Sequence, residues 1–375
     1  MTKYQLVATA AMGLESIVAD ELKALGYHTR TDNGKVYFEG DERDIAKTNL
    51  WLRVADRVKI VAGTFPAKTF EQLFEGVKAI EWEKYLPVDA EFPVTGKSVK
   101  SKLFSVPDCQ AITKKAIVER LKGHYMRLGF LEETGAKFKI EVSILKDIAT
   151  LTIDTSGAGL HKRGYRLDQG EAPLKETLAA ALVYISKWNP NRPFADPFCG
   201  SGTIALEAAM IGQNMAPGYN RDFISEEWPW IKSSIWNDVR MEVEDVANYD
   251  QPLQIFGSDI DHRMVEIAQS NAREAGFADL VSFKQMQVTD FTTILSDGVM
   301  IGNPPYGERI GEKETIEKMV QEMGKMMNKY PTWSVYMLSS MENFEELYGK
   351  RATKKRKLFN GFIKTDYYQF WGKKS

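Results

Sequence analysis

The sequence predicts an α/β protein: a Rossmann-like sheet covered by helices makes up its C-terminal part, and two smaller α+β segments precede it. Three observations carry that expectation. Beyond residue 172, helical and strand patterns alternate, which calls for a parallel sheet with helices on both faces. Before residue 157, short strands cluster around isolated amphipathic helices. Between them runs the glycine-punctuated basic stretch Gly157-Ala158-Gly159-Leu160-His161-Lys162-Arg163-Gly164-Tyr165-Arg166. At 375 residues the chain is too long for one ordinary core and fits two or three domains.

In order, Tyr4–Thr9 reads as a strand, 13–26 as an amphipathic helix closed by Gly26, and 35–40 as a second strand. A helix over 44–52 and a strand over 57–62 complete a first α+β domain, 1–62. The second, 63–156, has a helix over 70–80, a strand over 91–95, and a basic helix over 108–128 with Asp108 placed to cap it. Paired strands at 138–145 and 148–154 end it, and 157–171 is the linker. In the remaining domain, 172–375, helices are expected at 174–187, 203–211, 262–275 and 315–327. Strands are expected at 193–197, 254–258, 280–285, 298–302 and 334–338, with a final hairpin over 352–371. In such a sheet the ligand crevice lies at the carboxyl ends of the strands.

Composition narrows the function. Two cysteines and four scattered histidines argue against a disulfide framework, a structural zinc site, and metal or thiol chemistry. No apolar run approaches the roughly 18 residues of a membrane span, and the N-terminus lacks a signal-peptide core, so the expected compartment is the cytoplasm. A net charge of −2 hides a basic stretch. From Lys97 to Arg127, the residues Lys97, Lys100, Lys102, Lys114, Lys115, Arg120, Lys122 and Arg127 far outnumber Asp108 and Glu119. That is the footprint of a phosphate-backbone surface, although a lysine run also suits a solvated helix face. This half offers no convergent carboxylate, histidine or cysteine cluster, so it reads as a nucleic-acid-binding module.

The chemistry sits in the last domain. In Asp196-Pro197-Phe198-Cys199-Gly200-Ser201-Gly202-Thr203 the alternate glycines let the backbone turn sharply and come close to a nucleoside cofactor. There is no Gly-Lys-Ser/Thr of a P-loop and no Gly-x-Gly-x-x-Gly spacing. Asp259, in Gly257-Ser258-Asp259-Ile260-Asp261, ends the next strand, where an acid can accept both ribose hydroxyls, and Asp261 caps the following helix. Asp290 follows another strand and could accept from an adenine amino group. Most specific is Asn303-Pro304-Pro305-Tyr306. An aromatic exocyclic amine is a poor nucleophile until it pyramidalises. The Asn303 side-chain oxygen and the Pro304 carbonyl, its direction fixed by Pro305, can accept the two amine hydrogens and favour that change. Tyr306 can stack on a base taken out of its helix. The pattern points to methylation of a nucleobase nitrogen. Trp228, Trp230 and Trp236, in an insert over 212–251, suit packing residues better than a substrate-facing flap.

On these residues the chain resembles the THUMP-domain class I methyltransferases of the RlmL/YpsC type over nearly its whole length. The linker 160–166, the segment Ala172-Pro173-Leu174-Lys175-Glu176-Thr177-Leu178-Ala179 and the insert opening Met215-Ala216-Pro217-Gly218-Tyr219 carry the likeness further. It implies a ferredoxin-like domain, a THUMP RNA-binding domain and a class I methyltransferase domain. It also implies S-adenosylmethionine held by Asp196 to Thr203, Asp259, Ile260, Asp290 and Asn303, with Asn303 to Tyr306 holding the base and no metal. The implied reaction is methylation of guanine N2 in large-subunit rRNA. The chain is similar to the short YpsC-like members and to the amino-terminal half only of the long fused RlmL enzymes, so no second modifying activity is expected. Adenine N6 in RNA or DNA, a guanine in tRNA, and a noncatalytic RNA-binding assembly role stay open.

Overall fold

The computed structural model describes residues 2–165, 174–306 and 312–373. Arg166 of the linker and the Ala172-Pro173 pair lie outside the described residues. The chain forms two compact units: Met1–Ala10, Ala19–Leu160 and Asp222–Met241 make up the first, and Ala11–Val18, His161–Arg221 and Glu242–Ser375 the second. Among the described residues no helix is long and apolar enough to cross a membrane.

One seven-stranded sheet spans the first unit. Its strands are β1 Tyr4–Thr9, β2 Arg30–Asp32, β3 Lys35–Gly40, β4 Arg57–Pro66, β5 Val94–Val99, β6 Lys139–Leu145 and β7 Ile148–Asp154, in the order β2-β3-β1-β4-β7-β6-β5. β4 is the hinge of this arrangement. Its first residues pair with β1, Lys59 to Pro66 pair with β7, and a bulge between Val61 and Gly63 lets it run past Ala62 to Pro66. The two α+β segments therefore share one sheet. The helices are α1 Glu15–Ala24, α2 Glu42–Trp51, α3 Phe70–Ala79 and α4 Val106–Tyr125.

Helices α2 and α4 both start earlier than expected. α2 begins before Asp44: Asp41 accepts from the Arg43 and Asp44 amides, and Asp44 accepts from the Asp41 amide at 2.8 Å, a reciprocal capping box. In α4 the N-cap is Ser105, not Asp108; Asp108 lies in the first turn and accepts from the Ser105 hydroxyl at 2.5 Å. α4 stops at Tyr125 because Met126 is left-handed (φ 52°), which leaves Arg127 and Leu128 beyond the helix.

The insert's tryptophans are packing residues of the first unit. Trp228 is buried, stacks on Phe138 at 4.7 Å and donates to the Lys137 carbonyl at 3.0 Å. Trp230 lies 5.5 Å from the Tyr4 ring and donates to the Tyr85 carbonyl at 2.9 Å. Trp236 is buried against Phe223.

The second unit is a seven-stranded sheet of β8 Phe194–Asp196, β9 Ile255–Asp259, β10 Val281–Gln285, β11 Val299–Gly302, β12 Ser334–Ser339, β13 Lys354–Asn360 and β14 Ile363–Phe370. The order is β10-β9-β8-β11-β12-β14-β13; the first five are parallel and β14 is antiparallel to both neighbours. Its helices are α5 Glu176–Ser186, α6 Thr203–Gly212, α8 His262–Glu274, α9 Glu312–Met327 and α10 Phe344–Tyr348, while α7 Ser233–Asp245 lies mostly in the first unit. α6 is almost wholly buried, as its run Ile204-Ala205-Leu206 and Ala208-Ala209-Met210 requires. Its one buried acid, Glu207, is met by Arg163, with Nε to Oε1 and a terminal nitrogen to Oε2 both at 3.1 Å. Both side chains are 1 % exposed or less. The Tyr165 hydroxyl also donates to Glu207, at 3.4 Å. The segment leading into this unit is thereby tied to the helix that follows β8.

Removing one partner of a pair this deeply buried strands the other charge, at a cost of about 3–5 kcal/mol. Glu207→Ala should lower unfolding free energy by that amount in urea titrations. Arg163→Met combined with Glu207→Leu should recover most of the loss.

Candidate active site

β8 lies between β9 and β11, the point where strand order reverses and a doubly wound sheet opens its crevice. Three segments meet at the carboxyl ends there: the turn after Asp196, the acid Asp259 ending β9, and Asn303-Pro304-Pro305-Tyr306 after β11. The turn needs its glycines. Gly200 and Gly202 have φ of +50° and +86°. A Cβ on Gly202 would stand 2.9 Å from the Phe283 ring and 3.1 Å from the Ala268 Cβ, and one on Gly257 would stand 2.5 Å from the same ring. Among the described residues a Cβ on Gly200 would approach no more than the Met264 methyl, at 3.8 Å, so this glycine keeps the backbone open toward the crevice.

Asp259 fastens the turn. Its Oδ2 accepts from the Gly200 amide at 3.0 Å and its Oδ1 from the Asp261 amide at 2.9 Å. Asp261 accepts from the Arg263 amide and caps α8, as expected. Asp196 lies behind the turn, fully buried, with Oδ1 accepting from the Phe198 amide at 3.2 Å and Oδ2 lacking a hydrogen bond among the described residues. Burial pushes its pKa up to about 8, and the nearby Asp259 charge adds to the shift against the lowering effect of the Phe198 amide. Burial also raises the Cys199 thiol, which keeps it protonated and unsuited to nucleophilic work.

In front of the turn lies a cavity of about 920 Å³. Phe198, Cys199, Gly200, Ser201, Thr203, Asp259, Ile260, Asn303 and Pro305 line it. Three residues expected at the cofactor are not on its wall. Asp196 and Gly202 are buried behind it, while Asp290 ends a 3₁₀ turn whose Asp290 amide bonds the Gln287 carbonyl, leaving that acid exposed. Its neighbours Gln287 and Thr289 are on the wall instead. Apolar lining comes from Met264 and Ile267 of α8, Met286, and Met319 of α9. Sequence reading assigned none of these. Met264 and Ile267 are three apart on the helix that Asp261 caps, and that spacing alone reads as core.

Tyr306 faces a second, smaller cavity of about 410 Å³ with Lys313, Ile316, Ser340, Met341, Glu342 and Asn343. A hydrogen-bond chain links Asn303 of the first cavity to Tyr306 of the second: Asn360 Nδ2 donates to the Tyr306 hydroxyl at 3.2 Å, and that hydroxyl donates to Asn303 Oδ1 at 2.7 Å. Pro304 is buried between them. Among the described residues no His, Cys, Asp or Glu group could hold a metal ion.

The basic stretch of the first unit divides on inspection. Lys97 pairs with Glu141 at 3.0 Å, Lys114 with Glu133, and Arg120 with Glu83. Lys100, Lys102, Lys115 and Arg127 are exposed and make no ion pair among the described residues, beside the exposed Phe104, Leu128 and Phe130.

Residues 163–369 match the RMKL-like methyltransferase domain, 5–59 the RlmL ferredoxin-like domain and 67–154 the THUMP domain. The chain belongs to the RMKL-like methyltransferase family. Among members of this RMKL-like family, it is 64% identical over 374 residues to YpsC of Bacillus subtilis (strain 168), an RNA methyltransferase by its provisional name, covering 100% of this chain and 97% of that one. A crystal structure from Listeria monocytogenes, described as a predicted N6-adenine-specific DNA methylase, shares 63% identity at TM-score 0.96 over 100% of this chain and 97% of that one. SMU.472, a methyltransferase crystallised with SAH, shares 52% at TM-score 0.97 over the whole of both chains. TrmN from Thermus thermophilus, 18% identical at TM-score 0.70 over 98% of this chain and 99% of that one, shares the fold.

An acid with a raised pKa holds its proton in the folded chain where the unfolded chain has lost it. Its stabilising contribution is complete below the ordinary carboxylate pKa and is lost as pH rises toward 8. Asp196→Asn should therefore gain Tm relative to the parent as pH is raised from 5 to 8. A pH-independent difference in thermal melts would contradict the buried, protonated assignment.

Proposed function

We propose that this RMKL-like methyltransferase transfers a methyl group from S-adenosylmethionine to the exocyclic N2 amine of a guanine in structured RNA, with large-subunit rRNA as the substrate and the cytoplasm as its compartment. The observation that carries the reading is Asn303-Pro304-Pro305-Tyr306 standing between two cavities, one framed by the glycine turn and Asp259, the other open to Tyr306. The larger cavity fits a nucleoside cofactor in size, in its bare backbone at Gly200 and in its carboxylate at Asp259. SMU.472, similar along its whole length, was crystallised with SAH.

S-adenosylmethionine supplies a methyl on a sulfonium, released as S-adenosylhomocysteine when a nitrogen lone pair takes that methyl. The chain's own residues do the rest. Asp259 is turned toward ribose hydroxyls with a free lone pair left on each oxygen, Ile260 and Met286 provide apolar faces for a purine, and Gln287 and Thr289 take the polar place foreseen for Asp290. Asn303 Oδ1 and the Pro304 carbonyl accept the two amine hydrogens, which localises the lone pair for attack; the surplus proton then leaves to solvent. In the structure Asn303 Oδ1 accepts from the Tyr306 hydroxyl. An entering base displaces that hydroxyl, and the ring is freed to stack on it. Residues 1–62 and 63–156, the ferredoxin-like and THUMP parts of the shared sheet, capture the RNA through phosphate contacts. A THUMP domain joined to the site favours RNA over naked DNA.

The reading is tested by nucleoside mass spectrometry on rRNA and tRNA from cells with and without the gene, followed by add-back of protein and S-adenosylmethionine. Loss and recovery of N2-methylguanosine in large-subunit rRNA is expected. Recovery in tRNA would move the substrate, N6-methyladenosine would move the base, and no change in any nucleoside would leave a binding role. Asn303→Ala should lower turnover by about 10²–10³ with SAH affinity nearly kept. Asp259→Ala should weaken SAH binding by about tenfold or more in calorimetry. Equal loss of SAH binding in both variants would overturn the division of roles.

Lys100, Lys102, Lys115 and Arg127, exposed and without an ion pair among the described residues, set the RNA term. Replacing Lys100, Lys102, Lys115 and Arg127 with glutamine should flatten the dependence of RNA affinity on salt, by about one charge's slope for each phosphate no longer neutralised. Lys114→Gln, its charge already met by Glu133, should leave the slope nearly unchanged.

A further inference from the structure

The smaller cavity carries charges that no step above uses. It is bounded by Tyr306, whose hydroxyl reaches Asn303, and by the segment that leaves β12, Ser340 to Asn343. Lys313, in the first turn of α9, supplies its cation, and Glu342 its carboxylate. Lys313 has only a distant ion pair, to Glu317 at 3.9 Å, and Glu342 is exposed with no ion pair among the described residues. Met341 and Ile316 give the same cavity apolar surface, and Ser340 and Asn343 give it small polar groups. A base whose amine sits at Asn303 and whose face meets Tyr306 must present the rest of its edge to these side chains.

Guanine and adenine differ on that edge in charge preference as well as in shape. Beside its N2 amine guanine carries an N1–H donor, and beyond that the O6 acceptor. Beside its N6 amine adenine carries a bare N1 lone pair. A carboxylate next to the amine pocket bonds the guanine N1–H and repels the adenine N1, while an ammonium matches O6. We infer that Glu342 is the residue that selects guanine, accepting from N1–H while Lys313 donates to O6. The inference rests on the guanine reading above. A carboxylate left facing a bare lone pair forfeits a charge-assisted hydrogen bond, so the discrimination is larger than a shape mismatch alone gives.

The probe that separates this inference from the reading it rests on is 2,6-diaminopurine. That base keeps the 2-amine, presents a bare N1 and replaces O6 with an amine, so it reverses both contacts while leaving the methyl acceptor in place. Large-subunit rRNA transcripts made with guanosine or with 2,6-diaminopurine riboside are methylated with purified full-length protein and S-adenosylmethionine, and kcat/KM is compared. The parent protein should prefer guanine by about tenfold or more. In Glu342→Gln the guanine rate should fall by about tenfold and the preference should collapse toward unity, because an amide can donate to a bare N1. SAH affinity should be unchanged in this variant, which reports an intact cofactor cavity. Lys313→Met should lower the guanine rate with a smaller change in preference. An unaltered guanine preference in Glu342→Gln, with guanine N2 still methylated, would overturn the role of Glu342 alone. Methylation appearing at adenine in the parent protein would instead overturn the guanine reading and this inference with it.

Discussion

The second unit depends on one carboxylate. Asp259 ends β9, yet its two oxygens hold the amide of Gly200 in the turn after the neighbouring strand and the amide of Asp261 that opens α8. A single side chain thus fixes the glycine turn, the end of its own strand and the start of the next helix. The turn can sit so close only because nothing projects from it: Gly202 and Gly257 both press on the Phe283 ring, and a methyl at either would collide. The backbone is therefore held near the crevice by packing from behind and by a charge-assisted bond from the side.

The same corner carries two acids, which would be costly if both were ionised. The structure separates their tasks by solvent access. Asp259 is partly exposed on the cavity wall and accepts from two amides. Asp196 is sealed behind the turn, and burial holds its carboxyl largely protonated at neutral pH. Of the two acids it is Asp259 that lines the cavity, while Asp196 acts by orienting the Phe198 amide. Position on a strand end marked both as ligand-facing acids in the sequence. Burial divides them into one that lines the cavity and one that shapes the loop.

Much of this was readable beforehand, for identifiable reasons. The alternating pattern, the glycines at 200 and 202, the cap at Asp261 and the Asn303 tetrad are local signals, in which residue type fixes backbone geometry or chemistry without help from distant contacts. The features that escaped are tertiary. The start of α2 is set by a reciprocal bond between Asp41 and Asp44, and the continuation of β4 past Ala62 by pairing with β7, some ninety residues on. Asp290 was placed at the cofactor by strand order, but a 3₁₀ turn leaves it exposed. Met264, Ile267 and Met319 follow ordinary helical spacing, so a cavity wall and a core face look the same in sequence. The basic stretch was overcounted because Glu141, Glu133 and Glu83, which neutralise three of its members, lie elsewhere in the chain.

The antiparallel hairpin explains how an asparagine near the end of the chain reaches the tetrad after β11. In a wholly parallel sheet every strand would leave the crevice edge through a helix and return from the far end. β14 instead runs opposite to β12, with Ser339 beside Asp366 and Val335 beside Phe370, so its first residues lie at the carboxyl end of β12. β13 runs opposite to β14 with Asn360 paired to Ile363, which brings the end of β13 to that same edge. The hairpin turn therefore opens on the crevice, and Asn360 is delivered to the Tyr306 hydroxyl. The strand that breaks the parallel pattern supplies the outer link of the chain Asn360–Tyr306–Asn303. That chain satisfies the Asn303 side-chain oxygen, which would otherwise be left without a hydrogen-bond donor at 2.7 Å.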